Sequence, residues 1–324
     1  MLNLVRFLKD FYLLAKLLPN FLYDLWRYWK FAFNERLRDQ SHYISNIWMY
    51  THSIEKGLSV PSNKMGFGKD VVKKLVTLLS LYKSYGFDEN QVAVSSALGA
   101  LEQYLILHTT KGYDLGEMAD EIRSILNLYK VPKIGGTKKL KRVDIQQSAK
   151  GDFYKLVSSR HSIRQFTSEP IELSTLEEAI RLAIKTPSMC NRQPWRVYIC
   201  MDNKKITRLT QIQGGTSGFG TTIPCLLVIT TDLASYDGVS ERRGPFIDGG
   251  LFCMSLIYAL FYLGFGVCPL HWCKNLFADR KLRKEFGIKN SEEIIMMLAV
   301  GNMPEEFTVP RSEREKLEKF RIIL

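Results

Sequence analysis

The chain has 324 residues and a formal net charge of +12, from 45 Lys+Arg against 33 Asp+Glu. Hydrophobic residues make up 46% and charged residues 24%, which excludes a collagen-like, mucin-like or mainly disordered chain and leaves room for one large domain or two ordinary ones. The basic excess favours anionic partners such as a phosphate cofactor, nucleic acid or a membrane surface, and no nucleic-acid-binding motif accompanies it.

Residues 1–34 are rich in Leu, Phe, Tyr and Trp, but Arg6, Lys9, Asp10, Lys16, Asp24, Arg27 and Lys30 interrupt them too often for a membrane span. The pattern predicts one or two amphipathic helices with Pro19 between them. Their apolar stripe either packs on the rest of the protein or lies in an anionic membrane surface, with Trp26, Tyr28 and Trp29 at headgroup level. The segment has no secretory cleavage pattern, which predicts a cytoplasmic protein, peripheral to the inner face of the membrane if the second reading applies.

Residues 1–128 read as a helical region. Lys69 to Tyr85 places Val72, Leu75, Leu78, Leu79 and Tyr82 on one face, and Asn90 to His108 does the same with Val92, Val94, Leu98, Leu101 and Leu105. Gly57 is expected to end the helix before it, and His52 and Glu55, one turn apart, read as a structural polar pair. Residues 129–150 carry Pro132, Gly135, Gly136 and a basic cluster at 138–142, the pattern of a linker.

From residue 151 to 324 helical stretches alternate with short apolar strands, which predicts an α+β domain. Ser174 to Glu177 has the spacing of a capping box, opening a helix with Leu176, Ala179, Ile180, Ala183 and Ile184 on its core face. Trp195–Cys200, residues 224–230 and residues 294–300 read as interior strands. The run from Gly249 to Cys273 carries no charge, but Gly264, Gly266 and Pro269 break it. Its continuous part, residues 250–263, spans only about 21 Å and predicts a helix enclosed by protein on all sides, within one core or a subunit interface. All six cysteines lie in this half with no CxxC pair, which points to reduced, buried thiols rather than a metal site.

Three segments carry the chemistry. Arg160, His161, Ser162 and Arg164 put two guanidiniums and a hydroxyl within five residues, a set that holds a phosphate by charge-assisted hydrogen bonds. Pro187 to Trp195 is a loop stiffened by two prolines and rich in hydrogen-bonding groups. Residues 264–272, read as a turn after the apolar helix, use glycine to approach a flat ligand closely.

In this order the segments resemble the nitroreductase family of FMN-dependent oxidoreductases. The family's Arg-(Arg/His)-Ser-x-(Arg/Lys)-x-Phe opening is similar to Arg160–Phe166. Its Pro-Ser-x-x-Asn-x-Gln-Pro-Trp element has every named position in Pro187–Trp195. Its Asp-x-Gly helix start resembles Asp248-Gly249-Gly250, and its closing strand and turn resemble Leu298–Glu305. The resemblance covers roughly residues 153–320.

That resemblance implies a three-layer sheet-and-helix domain in an intertwined homodimer. It implies FMN as cofactor and NADH or NADPH as electron donor, with hydride transfer to an organic acceptor. By it, Arg160, His161, Ser162 and Arg164 hold the phosphate, ribityl chain and pyrimidine edge. Pro187, Ser188, Met189 and Asn191 touch the flavin across the subunit interface. Pro269, Leu270, His271 and Trp272 line the ring near N5, and Arg311, with Arg314 as a second candidate, completes the phosphate site. No protein acid or base is required, because the cofactor carries the redox chemistry; His271 is the one candidate for a proton donor. Residues 213–220 lack the Asn and Lys that many relatives place against the pyrimidine. The N-terminal half is absent from minimal members and is similar to extensions on members associated with bacterial surface-polysaccharide genes. The alternative to an enzyme is a flavin-fold interaction protein that docks on a membrane or assembly complex with little turnover.

Overall fold

In the computed structural model, which describes residues 2–33, 36–59, 64–137, 151–216, 218–307 and 317–324, the first half of the chain is helical. α1 (Leu2–Phe31), α2 (Gln40–Ser59), α3 (Lys69–Ser84), α4 (Val92–Thr110) and α5 (Glu117–Leu128) follow in order. α1 runs unbroken through Pro19. α3 buries the five residues that its spacing places on one face. α4 departs from expectation, with Val92 exposed and every residue from Ala93 to Leu101 buried, because α2, α3 and α5 surround it.

Gly57 does not end α2. The helix continues to Ser59, and a Cβ at Gly57 would stand 2.2 Å from the Phe67 ring, so packing explains this glycine. Glu55 accepts a hydrogen bond from the Gly136 N–H at 2.9 Å, and the Ile134 N–H donates to the Ser95 carbonyl at 3.1 Å. Residues 129–137 thus lie packed along α4 instead of running free as the linker reading expected. The basic cluster at 138–142 falls outside the described residues.

The second half builds one four-stranded sheet from β1 (Trp195–Cys200), β2 (Cys225–Asp232), β3 (Phe265–His271) and β4 (Glu292–Asn302). The strand order is β1-β2-β4-β3, with every neighbouring pair antiparallel. Among the described residues five helices accompany it: α6 (Phe153–Ser159), α7 (Leu173–Ala183), α8 (Asn203–Gln213), α9 (Gly244–Tyr262) and α10 (Leu276–Phe286). α7 and α9 cover one face, through Leu176, Ala179, Phe252, Leu256 and Leu260. α8 and α10 cover the other, through Ile206, Leu209 and Leu282. This is the expected three-layer α+β arrangement.

Four local expectations are corrected. Trp195–Cys200 is an edge strand, mostly half-buried, not an interior one, because only β2 pairs with it. Residues 265–271 form edge strand β3, not a turn. α7 opens at Leu173 after Glu172 with no side-chain cap, so Ser174 and Glu177 make no capping box, and Ile184 is exposed. α9 begins at Gly244, six residues earlier than expected, and its own chain does not enclose it on all sides. Ile247, Leu251 and Tyr262 stand exposed on its outer face.

Candidate functional site

The segment Arg160–Phe166 lies along the β3 edge. Ser162 pairs with Val267 as a parallel bridge, and the Ile163 N–H donates to the Val267 carbonyl at 3.0 Å. Two residues of the sheet make room for it. Gly266 and Gly301 face each other across the β3–β4 ladder. A Cβ on Gly301 would stand 2.6 Å from the Phe166 ring, and one on Gly266 would stand 3.0 Å from the Ile163 side chain. Larger residues there would push the segment off the sheet.

This anchoring leaves the charged groups free. Arg160 and His161 are half-buried and Arg164 is exposed. The Arg164 guanidinium donates to the Ser162 carbonyl at 3.2 Å. Among the described residues neither Arg160 nor Arg164 is paired with a carboxylate. Burial pushes the Cys268 thiol up, and the nearby Arg164 charge opposes that push, which places Arg164 beside β3.

Val267 turns its carbonyl to the outer edge, so Pro269 and His271, two and four residues on, share that orientation by strand alternation. Pro269 therefore costs the ladder no hydrogen bond. The His271 carbonyl accepts from the Gln213 side-chain amide at 3.1 Å, and its imidazole is exposed. Trp272 is half-buried and its indole N–H donates to Asp279 at 3.1 Å, while Leu270 is buried in the core. Lys274 brings its ammonium to 3.4 Å from where a Cβ on Gly214 would stand. It supplies a cation beside a loop whose own sequence lacks one. Arg311 and Arg314 fall outside the described residues.

The Pro187–Trp195 loop sits at the opposite edge, leading into β1. Cys190, Asn191 and Gln193 have φ of 49°, 55° and 51°, a left-handed conformation that costs non-glycine residues about 1 kcal/mol or more each. Surrounding contacts enforce it. The Met189 N–H reaches both Asp248 carboxylate oxygens at 3.3 Å, and the Gln193 N–H donates to Ser188 Oγ at 3.0 Å. Arg192, buried, donates to the Ser235 carbonyl at 2.9 Å and to Glu241 at 2.6 Å. Asp248 also accepts from the Tyr236 hydroxyl at 3.1 Å, and its backbone carbonyl accepts from the Trp195 indole at 3.0 Å. Burial pushes the Asp248 carboxyl up, against the pull of these donors and of Arg192.

Sequence reasoning placed Asp248 only as the start of a helix. It lies one turn inside α9 and its work is to tie down the loop. Arg192 was missed altogether, because nothing in a one-dimensional pattern distinguishes a buried arginine from a solvated one.

β1 and β3 are the two edges of the sheet. With neighbouring strands about 4.8 Å apart, the arginine segment, bridged outside β3, lies four spacings, about 19 Å, across the sheet from β1, into which the loop leads. One chain thus carries two candidate half-sites, cationic on one edge and loop-built on the other. The six cysteines are free thiols. Cys225 and Cys253 are buried and pushed up to about 12 by that burial, whereas Cys273 is exposed, contrary to the expectation of uniform burial.

Residues 157–216 and 205–302 match the family model described as Nitroreductase family. The iodotyrosine deiodinase of Nematostella vectensis is 20% identical over 197 residues, covering 53% of this chain and 75% of the relative. A solved nitroreductase-like protein from Streptococcus mutans is 19% identical, covering 53% of this chain and 98% of its own, at a TM-score of 0.47. An FMN-dependent nitroreductase from Clostridium difficile R20291 is 19% identical, covering 49% of this chain and 92% of its own, at a TM-score of 0.42. Residues 157–302, a little under half of this chain, are thus similar to the nitroreductase family.

Proposed function

We propose that the protein is an FMN-dependent oxidoreductase, active as a homodimer, that takes hydride from NADH or NADPH and passes it to an organic acceptor in a ping-pong cycle. The observation that carries this reading is the Arg160–Phe166 segment. It is fixed to β3 by its backbone, and its guanidiniums are unpaired with carboxylates among the described residues. Two guanidiniums, an imidazole and a hydroxyl suit a dianionic phosphate and the polar chain attached to it.

FMN, when bound, supplies the redox chemistry of its ring. The residues of this chain bind and orient it. Arg160, His161 and Ser162 would hold the phosphate and ribityl chain, with Arg164 placing positive charge at the pyrimidine edge. The outward edge of β3 would face the ring through Pro269, Leu270, His271 and Trp272. Pro269 offers no N–H there, so the His271 backbone N–H is the donor that strand parity aims outward. Pro187, Ser188, Met189 and Asn191 would come from the second chain, since within one chain they stand a sheet's width away. The exposed Ile247, Leu251 and Tyr262 face of α9 is the apolar surface that such a dimer would cover. Its deiodinase relatives make an iodinated tyrosine, alongside a nitroaromatic, one acceptor class to test.

The test is an absorbance spectrum of the purified protein with FMN added, followed by NADH or NADPH oxidation with 3-iodotyrosine or a nitroaromatic. A bound flavin band and acceptor-dependent oxidation are expected. Protein that remains colourless overturns the reading. A flavin band without turnover on any acceptor leaves the interaction-protein alternative. Arg160→Ala removes a charge-assisted contact worth about 1.5–3 kcal/mol, so the FMN Kd should rise about 10- to 100-fold. Unchanged occupancy removes Arg160 from the site.

A further inference from the structure

α1 is docked on the sheet domain by its polar side. Asn20, Tyr23 and Arg27, spaced by three and four residues, share one face. The Asn20 side chain accepts from the Leu276 N–H at 2.6 Å, and the Tyr23 hydroxyl donates to Asp279 at 3.0 Å. Arg27 is 1% exposed. It donates to the Asn290 carbonyl at 3.0 Å, to Glu293 at 2.7 Å and to the Glu292 carbonyl.

The opposite face is apolar and open. Phe11, Leu18, Leu22, Leu25 and Trp29, spaced by seven, four, three and four residues, are each more than half exposed. At 100° per residue they fall within an arc of about 60°, on the side away from Asn20, Tyr23 and Arg27. A helix on a water-soluble surface turns its apolar stripe to the core; this one does the reverse. Rolling it over would bury the stripe but strip Asp279 and Glu293 of Tyr23 and Arg27, so the buried charges hold it in place.

Charge decides what covers the stripe. Residues 1–38 carry seven basic side chains against three acidic. Two of the cations stand at its rim against aromatic rings, Lys30 at 5.0 Å over Trp26 and Arg36 at 5.7 Å over Trp29. A second copy of the same face would bring like charges together. A surface with anionic headgroups outside and acyl chains within satisfies both the rim and the stripe. The stripe from Phe11 to Trp29 is about 27 Å long at 1.5 Å per residue, and it lies parallel to such a surface instead of crossing it.

We propose that α1 is an interfacial helix that seats the protein on an anionic phospholipid bilayer, with Leu22, Leu25 and Trp29 in the headgroup–acyl boundary. The test is co-sedimentation of the full-length protein with vesicles of phosphatidylcholine alone and of phosphatidylcholine with 30% phosphatidylglycerol. The expected result is partition onto the anionic vesicles that weakens with added salt. Leu25→Ser with Trp29→Ser should lower the partition coefficient about tenfold or more, while the thermal midpoint stays that of the wild type because both positions are exposed. Equal binding to both vesicles, no binding to either, or a double variant that binds as well as wild type overturns the proposal. So does a double variant that loses self-association by light scattering while vesicle binding is unchanged, which would assign the stripe to a second copy.

Discussion

Asp248 receives two hydrogen-bond donors in a place nearly closed to water, and each would be left without an acceptor if the carboxylate were removed. An unsatisfied buried donor costs about 1–3 kcal/mol. Asp248→Ala should therefore destabilise the protein by about 2–4 kcal/mol in urea unfolding, and Asp248→Asn by less, because the amide oxygen can still accept. The same variants should free the Cys190–Gln193 turn from its left-handed conformation, since its strain persists only under the restraint of neighbouring contacts. A midpoint unchanged in Asp248→Ala would show that the loop is held by Arg192 and Ser188 alone. The paired glycines 266 and 301 act at the same scale. Their missing side chains, not their flexibility, let Ile163 and Phe166 settle against the sheet.

At the scale of elements, α1 depends on a buried ionic cluster. Arg27 faces Glu293, whose carboxyl burial pushes up, and Arg27→Met would leave that charge without its partner. Such a loss costs about 3–5 kcal/mol, visible as a lowered urea midpoint. Asp279 behaves in the opposite sense. Burial pushes it up, but the hydrogen bond and charge of Arg283, the Trp272 indole and Arg27 together hold it below its ordinary 3.8. A depressed carboxyl stabilises the fold above that ordinary value, and the contribution is lost as pH falls through the lower folded value. The stability gap between wild type and Asp279→Asn should accordingly be full near neutral pH and close below pH 3.8. A gap that persists at lower pH would assign the loss to packing instead of charge.

For the whole molecule, the two edge half-sites have one consequence for the proposed flavin enzyme. If the ring is gripped between chains, flavin affinity and self-association are linked, because a ligand that binds only the dimer stabilises it by mass action. Dilution should then release flavin and dissociate the dimer over the same concentration range, read by flavin fluorescence and light scattering on the same samples. Flavin retained by a dilute monomer would place the whole site within one chain.

Local order carried much of this in advance. The 3.6-residue spacing of Val72 to Tyr82 placed the buried face of α3, and the apolar runs placed β1, β2 and β4, because these signals come from neighbours along the chain. The arginine segment was legible as well, since its residue types sit within five positions. β3 was not, because Gly264, Gly266 and Pro269 read as a turn until an edge position makes a proline harmless. The capping box at Ser174 and the helix end at Gly57 failed for a related reason. A cap is decided by which backbone groups lack partners, and Gly57 answers to Phe67, ten residues away.

The sequence by itself determined the helical first half, the sheet-building second half, the excess of positive charge and the grouping of Arg160, His161, Ser162 and Arg164 within five positions. Each depends on residue identity and short-range periodicity. Only the tertiary structure decided that Asp248 anchors a loop 59 residues before it, that the two candidate half-sites lie on opposite sheet edges, and that α1 turns its polar face inward. Those outcomes depend on which distant partners satisfy a buried charge or donor, and that pairing is settled only when the chain has closed on itself.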